Sequence, residues 1–284
     1  MGALQRVLVT GAEGLLGSTL VKTLSDQYDV TAWADDICDT VLISKLKEGT
    51  PYDFIIHTAA LTNVDTCEED QLGCYHVNIQ GTRNMLSVSR AHNARFVYIS
   101  TVSVFSGIEG NYTELDVPYP GNYYNLSKFV SEELVKDYEL GLSLRVNIIG
   151  IHPAGSRGRN FLEWFVDGLA CGRDMQLFAD VRINPLSNYT LAELIKEFLS
   201  LPLEYPCVHL GSRTILSKAD IGRLVMESIG HSNSQVTFVD SGSLSGRTVR
   251  PKNMTLNVTL AEEILGRKLP TLEYEVKRAI ECYN

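Results

Sequence analysis

The stretch Val7-Leu8-Val9-Thr10-Gly11-Ala12-Glu13-Gly14-Leu15-Leu16-Gly17 places three glycines between a short apolar run and an amphipathic segment. The apolar run predicts a buried strand, and the apolar spacing over Leu15–Leu24 predicts a helix. Glycines let such a turn tighten, let the backbone approach a pyrophosphate and let the helix pack on the strand, while free N–H groups at the helix start face the anion. The stretch therefore predicts dinucleotide binding by a first strand, turn and helix.

The same alternation of strand-like and helix-like segments continues to about residue 150. Helical apolar spacing predicts further helices at Asn78–His92 and Tyr124–Tyr138. Elements in this order predict an α/β fold with a Rossmann-type, doubly wound parallel sheet. Short apolar, β-branched runs predict its strands at Val7–Thr10, Val30–Ala34, Phe54–Thr58, Phe96–Ser100 and Ser143–Ile148.

After residue 150 the chain changes to a loop rich in Gly, Pro and Arg, followed by short helices and isolated strands such as Val208–Leu210. We therefore predict a dinucleotide-binding Rossmann domain over residues 1–150. A smaller C-terminal α/β substrate-binding lobe is predicted over residues 151–284, interleaved with the sheet.

Composition limits the classes of protein that fit. The 284 residues include 34 acidic and 25 basic side chains, a formal net charge of −9, and 44% are hydrophobic, which excludes a disordered or fibrous chain. The acidic excess argues against a nucleic-acid partner, and no apolar stretch is long enough to predict a membrane partner. The start reads as a strand rather than a signal peptide, and the six cysteines form no C-x-x-C pair. We expect a cytoplasmic chain with reduced thiols and no metal site.

Tyr124 and Lys128 are four residues apart, which puts a phenol and an ammonium on one face of a predicted helix. A free tyrosine is a poor acid–base catalyst at neutral pH, and a nearby cation lowers its pKa. Thr101 follows the fourth predicted strand, and the carboxyl ends of strands in a doubly wound sheet border one crevice. The glycine turn, Thr101 and the Tyr124/Lys128 pair are therefore expected to meet at one ligand site.

Other segments, spread over nearly the whole chain, carry a family resemblance. They are His57-Thr58-Ala59-Ala60-Leu61-Thr62-Asn63-Val64-Asp65, Val77-Asn78-Ile79-Gln80-Gly81-Thr82-Arg83-Asn84, Ile99-Ser100-Thr101, Pro120-Gly121-Asn122-Tyr123-Tyr124, Arg145-Val146-Asn147 and Arg250-Pro251-Lys252-Asn253. With these segments the sequence resembles the extended short-chain dehydrogenase/reductase family, and more narrowly its dTDP-4-dehydrorhamnose reductase-like branch of sugar-nucleotide reductases. The resemblance implies an NAD(P)-dependent oxidoreductase that reduces the 4-keto group of a nucleotide-activated deoxysugar in polysaccharide biosynthesis.

The resemblance also implies roles for single residues. Tyr124 would donate a proton to the sugar ketone oxygen, and Thr101 would hydrogen-bond the same carbonyl. Lys128 would lower the tyrosine pKa and hold the nicotinamide ribose, while a hydride from the nicotinamide reduces the carbonyl carbon. The implied cofactor-binding residues are Gly11, Gly14, Leu15, Leu16, Gly17, Asp35, Asp36, Ile37, Ala59, Ala60, Thr62, Asn78, Tyr124 and Lys128.

Charge after the second strand bears on the choice between NAD(H) and NADP(H). No Lys or Arg lies between Lys22 and Lys45, whereas Asp35, Asp36 and Asp39 cluster there. A carboxylate suits a ribose 2′-hydroxyl and an arginine suits a 2′-phosphate, so the cluster favours NAD(H), with Asp35 on the ribose. Asp36 also resembles an aspartate of the family that faces the adenine, which leaves NADP(H) open.

The predicted substrate contacts depart from the family pattern. Relatives usually carry an aspartate and then an aromatic residue after the Thr101 equivalent, and often a glycine after the tyrosine, which is Asn125 here. The departures leave the identity of the sugar open. The candidate substrate residues are Val102, Ser103, Asn147, Asn160 and Arg250.

Two alternative functions stay open. One is an NAD-dependent sugar-nucleotide epimerase of the same superfamily, in which the cofactor stays bound and returns its hydride. The other is a catalytically silent, dinucleotide-binding relative that regulates a partner enzyme. The resemblance further implies a nucleotide-sugar substrate and allows a homodimer.

Overall fold

The computed structural model describes residues 3–152, 160–230, 235–243 and 251–281. Its strands are β1 (Arg6–Thr10), β2 (Asp29–Trp33), β3 (Phe54–His57), β4 (Arg95–Thr101), β5 (Gly141–Val146), β6 (Ile148–Ile149), β7 (Met175–Phe178), β8 (Arg182–Ile183), β9 (Leu186–Ser187), β10 (Cys207–Leu210), β11 (Leu216–Ser217), β12 (Val236–Val239) and β13 (Asn253–Met254). Its α-helices are α1 (Leu15–Leu24), α2 (Thr40–Glu48), α3 (Val64–Glu69), α4 (Gln71–Cys74), α5 (Gly81–His92), α6 (Tyr123–Lys136), α7 (Phe161–Ala170), α8 (Asn188–Ser200), α9 (Lys218–Ile229), α10 (Thr259–Leu265) and α11 (Leu272–Glu281).

Six strands form one mostly parallel sheet in the order β10-β5-β4-β3-β1-β2. The predicted Rossmann-type α/β fold is confirmed, and each of the five predicted strands of the first 150 residues lies within two residues of its observed bounds. Every residue of β3 and β5 is buried, as expected where helices cover both faces of parallel strands. The strand order reverses between β1 and β3, and such a switch point is where open α/β sheets bind their ligands.

Several segments differ from the sequence-based prediction, and α3 and α4 are not among the predicted helices. Helix α2 is absent from that prediction; it begins after Asp39, whose carboxylate accepts hydrogen bonds from the backbone of Val41 and Leu42. The helix predicted over Asn78–His92 is observed as α5 from Gly81 to His92, whereas residues 78–80 belong to a π-helix at Tyr75–Gln80 that leads into α5. An apolar period of 3.6 residues does not reveal a π-helix, and such segments are frequent at functional sites.

The chain divides into two units that are not continuous in sequence. The first comprises residues 1–104, 118–145 and 192–208, and the second comprises residues 105–117, 146–191 and 209–284. In the first unit, apolar residues of β1, β3 and β4 form a core with α2, α5 and α6. In the second unit, α7, α9 and α11 share a separate core with β7. The dinucleotide-binding and substrate-binding roles assigned to the two parts of the chain stay predictions.

Among the helices of the described ranges, none combines the length and the apolar character required to cross a membrane.

Candidate active site

The glycine turn connects β1 to α1 in the first unit. Gly11 has a φ of +64°, a conformation that L side chains rarely adopt, and a Cβ there would lie 2.8 Å from the backbone nitrogen of Ala59. A Cβ on Gly17 would overlap the carbonyl oxygen of Gly11. The turn therefore depends on glycine twice, once for its backbone conformation and once for the close approach of α1 to the strand end.

The start of α1 leaves hydrogen-bond donors available for a ligand. Gly14 is the N-cap and offers no side-chain acceptor, so no side chain caps the first-turn N–H groups, which include those of Leu15, Leu16 and Gly17. Uncapped N–H groups beside a glycine turn at the switch point fit the pyrophosphate of a dinucleotide. The side chain of Leu16 is buried, so only its backbone is suited to such a contact.

The three aspartates of the acidic cluster after β2, Asp35, Asp36 and Asp39, differ in their hydrogen bonds. Asp39 caps α2, and the Asp36 carboxylate accepts a hydrogen bond from the backbone of Cys38 at 2.8 Å. Asp35 is exposed and has no hydrogen bond to another described residue. Ile37 is buried, and its carbonyl accepts a hydrogen bond from Asn84. Asp35 is thus the carboxylate of the cluster that is available to a ligand.

Asn78, in the π-helix, joins the segment after β3 to α6. Its side-chain amide accepts from the Leu61 nitrogen at 2.7 Å and donates to the Leu61 carbonyl at 3.0 Å. It also donates to the Ser127 hydroxyl at 2.9 Å. Asn78 therefore positions the segment that carries Ala59, Ala60 and Thr62, and its own side chain is occupied by these contacts.

The structure brings Thr101, Tyr124 and Lys128 together in the first unit. Thr101 is the last residue of β4, and Asn122 caps the start of α6 by accepting a hydrogen bond from the Asn125 nitrogen. The Thr101 side chain is near enough to the Tyr124 phenol to lower its pKa. The Lys128 ammonium, one turn further along α6, donates to the carbonyl of Ile99 at 2.7 Å.

Burial shifts the pKa values of Tyr124 and Lys128, the two α6 residues, in the protein without ligands. It raises the pKa of Tyr124 to about 12, with the Cys67 thiol adding to the increase and the Thr101 side chain opposing it. Burial likewise lowers the pKa of Lys128 to about 7. The expected lowering of the tyrosine pKa is therefore not a property of the chain alone, because loss of water raises this pKa and Lys128 is not among the influences on it.

His57 has a structural role, as its position at the end of a buried strand indicates. Nδ1 lies 2.8 Å from the Thr10 hydroxyl, and Nε2 lies 3.1 Å from the Thr82 hydroxyl. The Thr82 hydroxyl donates to the Asn78 carbonyl, so Nε2 carries the proton and Nδ1 accepts from Thr10. Burial, followed by the charge of Lys128, lowers the His57 pKa to about 3 and keeps the ring neutral.

The predicted substrate residues have mixed placements. Val102 is a core residue, only 3% exposed, whereas Ser103 is partly exposed, and a role of either in substrate binding stays a prediction. In the second unit, Asn147 is partly exposed and its backbone carbonyl accepts from Leu186.

The other two predicted substrate residues are Asn160 and Arg250. The amide of Asn160 caps α7, accepting from the nitrogens of Leu162 and Glu163 and donating to the Gly150 carbonyl. These contacts make Asn160 a structural residue in the second unit. Arg250 lies outside the described residues.

Sequence reasoning missed a buried ion pair next to the Tyr124 helix face. Glu132 and Arg145 are joined at 2.7 Å and are almost fully buried. Glu132 lies four residues after Lys128, the same i, i+4 relation that links Tyr124 to Lys128. This repeated spacing is the sequence signal that could have pointed to Glu132; its pairing with Arg145 is visible only in the folded chain.

A cavity of about 420 Å³ lies in the second unit. None of the predicted site residues lines it, and the side chains that do so include Arg213, Glu262 and Lys268. Glu262 and Lys268 form an ion pair with each other.

A Rossmann-type sheet with a glycine turn after β1, a Thr at the end of β4 and a Tyr/Lys pair on the following helix defines an extended short-chain dehydrogenase/reductase. A family model described as the RmlD substrate binding domain matches residues 5–284. The chain belongs to this family, which confirms the resemblance predicted from its sequence.

Individual relatives agree with this assignment. The probable low-salt glycan biosynthesis reductase Agl14 of Haloferax volcanii is 30% identical, over 93% of this chain and 94% of that protein. The dTDP-4-dehydrorhamnose reductase of Aggregatibacter actinomycetemcomitans is 28% identical, over 92% of this chain and 93% of that protein. The crystal structure of dTDP-4-dehydrorhamnose reductase from Bacillus anthracis in complex with NADP superposes with a TM-score of 0.88 at 25% identity, covering 98% of this chain and 99% of that one.

Proposed function

We propose that this chain is an NAD(P)H-dependent ketoreductase that reduces the 4-keto group of a nucleotide-activated deoxysugar. The observation that carries the proposal is the placement of Thr101, at the end of β4, beside Tyr124 on α6, with Lys128 one turn further along that helix. Relatives named dTDP-4-dehydrorhamnose reductase support the substrate class. The relative crystallised with NADP supports a nicotinamide dinucleotide, and the uncapped start of α1 beside Gly11 fits its pyrophosphate.

The proton step follows from the acidity of Tyr124. With a pKa of about 12 the phenol is protonated at neutral pH, so it is ready to act as a donor. The bound reduced nicotinamide supplies the hydride to the carbonyl carbon. Tyr124 gives its proton to the oxygen, which becomes the hydroxyl of the product, while Thr101 offers a second hydrogen bond to that oxygen. The phenolate left on Tyr124 is then stabilised by the Thr101 hydroxyl and the Lys128 charge.

The proposal predicts stoichiometric cofactor consumption. With dTDP-4-dehydrorhamnose as the probe, we expect one NAD(P)H to be oxidised for each sugar reduced, measured by absorbance at the nicotinamide band and by mass spectrometry of the product. An epimerised sugar with no net NAD(P)H oxidation would assign the epimerase function instead. Dinucleotide binding with no turnover on a panel of 4-keto-sugar nucleotides would favour the regulatory alternative.

For the cofactor, we propose a preference for NAD(H) that depends on Asp35. The Asp35 carboxylate is exposed and available, while Asp36 and Asp39 are bonded to the backbone. A hydrogen bond to a charged group contributes about 1.5–3 kcal/mol, which corresponds to roughly 10- to 100-fold in binding. A 2′-phosphate would instead meet the negative charge of Asp35.

Replacing Asp35 with alanine is therefore expected to lower the ratio of kcat/KM for NADH to kcat/KM for NADPH by about 10-fold or more. The measurement is steady-state kinetics with both cofactors at a fixed sugar concentration. Asp137→Asn, at the exposed end of α6, is the matched control for loss of one surface charge. An unchanged ratio in Asp35→Ala would show that Asp35 does not hydrogen-bond the ribose 2′-hydroxyl.

Cytoplasmic localisation and a homodimer are proposed as further properties of the enzyme. Light scattering after size-exclusion chromatography measures the assembly directly, and a monomeric mass would reject the homodimer.

A further inference from the structure

The buried pair of Glu132 and Arg145 is more tightly built than a surface ion pair. Nε of Arg145 donates to both Glu132 oxygens, at 3.0 and 3.1 Å, and the terminal nitrogen donates at 2.7 Å. Ser100, in β4, donates a further hydrogen bond to the same carboxylate. The side chains of Glu132 and Arg145 are only 4% and 7% exposed. Glu132 is therefore held in one position by β4 and β5 together.

This position is one helical turn from Lys128. The Lys128 ammonium is fixed by the Ile99 carbonyl and lies 4.2 Å from the centre of the Tyr98 ring, so both buried charges of α6 are held by consecutive residues of β4. Among the described residues, no carboxylate is within ion-pair distance of the ammonium. Lys128 is thus a buried cation whose negative neighbour acts across a helical turn rather than by contact.

The groups that face Lys128 show why the charge of Glu132 affects the Lys128 pKa. Burial lowers the Lys128 pKa, and the charge of Glu132 is the first influence that opposes it, followed by Cys74 from α4. From β3, His57 is neutral, and from β4, Tyr98 is a phenol whose pKa burial raises well above its usual value.

Two further groups complete the surroundings of Lys128. On its own helix, Tyr124 is protonated at neutral pH. On β5, Arg145 carries a positive charge that offsets part of the Glu132 charge. Glu132 is therefore the carboxylate among these facing groups, all in the described part of the first unit, and its charge is the first influence that opposes the effect of burial on Lys128.

We propose that Glu132, fixed by Arg145 and Ser100, is a positioning residue that keeps the Lys128 side chain charged next to Tyr124. The catalytic benefit rests on the ketoreductase function proposed above, because a charged Lys128 stabilises the phenolate that Tyr124 becomes. A merely structural pair would join α6 to β5 and leave the charge of Lys128 unchanged. The two roles therefore predict different protonation of Lys128, which is measurable without turnover.

The test is the titration of Lys128 in the ligand-free protein, followed by NMR of lysines labelled with ¹³C at Cε. The chain has ten lysines, and the Lys128 signal is identified as the one missing from Lys128→Met. In Glu132→Gln we expect the Lys128 midpoint to move to lower pH, a loss of about tenfold in proton affinity. Glu133→Gln, the same change at an exposed position of the same helix, should leave the midpoint unchanged.

A second variant is needed, because removing one partner of a buried ion pair strongly destabilises a protein and Glu132→Gln could therefore fail to fold. Glu132→Leu with Arg145→Met removes both charges and keeps the buried volume similar. Glu132 lies one helical turn from Lys128, and Arg145 is not among the influences on its pKa, so the double variant should still titrate at lower pH than the native protein. A native Lys128 midpoint in a folded double variant would overturn the proposal, whatever its thermal stability.

Activity provides the second readout. We expect the fall of kcat/KM with rising pH, which reports groups of the free enzyme, to occur at lower pH in Glu132→Gln than in native protein. A shifted Lys128 titration with an unshifted pH profile would overturn the positioning role. A shifted titration in a protein that never reduces keto-sugars would reject the proposed function alone.

Discussion

Tyr124→Phe is expected to lower kcat/KM for the keto-sugar nucleotide by about 10²–10⁴-fold, the usual contribution of a positioned general acid. The substitution removes only the phenol hydroxyl, which lies near Thr101, and leaves the ring in place on α6. Without it, the oxygen that gains charge during hydride transfer has no proton donor of suitable strength. The measurement is single-turnover oxidation of NAD(P)H, with cofactor affinity followed separately by fluorescence.

Tyr123→Phe is the matched control, because it removes a hydroxyl from the neighbouring residue, which points about 100° away around the same helix. It should keep activity near the native level. Native rates in Tyr124→Phe would reject Tyr124 as the proton donor. Equal losses in both variants would indicate a general disturbance of the start of α6.

Gly17→Ala is expected to abolish dinucleotide binding and to lower the free energy of unfolding by about 3 kcal/mol, near the upper end for overpacking. The added Cβ would overlap the Gly11 carbonyl oxygen and lie 2.8 Å from its carbonyl carbon. Both atoms are backbone, so α1 must move away from β1, and its first-turn N–H groups move with it. Urea denaturation measures the stability, and calorimetric titration with NADH and NADPH measures the binding.

Gly242→Ala is the control for this substitution, because a Cβ at that exposed position meets no atom of the described residues within 4 Å. It should leave both stability and binding unchanged. Native affinity for both cofactors in Gly17→Ala would show that the spacing of α1 from the strand does not set the binding site.

The elements around the glycine turn were predictable because local signals agree there. The apolar run of β1, the glycines and the helical spacing of α1 all specify the same strand, turn and helix, and α1 is observed with its predicted bounds. Helix α2 was not predicted by the same reasoning. It begins directly after the Asp35–Asp39 cluster, and the sequence analysis interpreted these aspartates as cofactor contacts and not as a helix cap.

The sequence was sufficient to expect Thr101, Tyr124 and Lys128 near one another, although their roles stay predictions, but it was not sufficient to predict their pKa values. The order of Thr101, Tyr124 and Lys128 along the chain follows from parallel strands whose carboxyl ends share an edge. The pKa values of Tyr124 and Lys128 depend on how much water each group loses, and burial is a property of the folded chain. Asn160 is a similar case. Its amide could bind a ligand or cap a helix, and only the folded chain shows that it caps α7.

The strand β10 has a consequence for how the chain is made. It lies next to β5 at one edge of the central sheet, yet some sixty residues separate the two strands in sequence. During synthesis from the N-terminus, β5 therefore exposes unpaired backbone groups until residues 207–210 have been added. A nascent chain paused near residue 150 has all the predicted catalytic residues but an open sheet edge, which can pair with another chain during this interval.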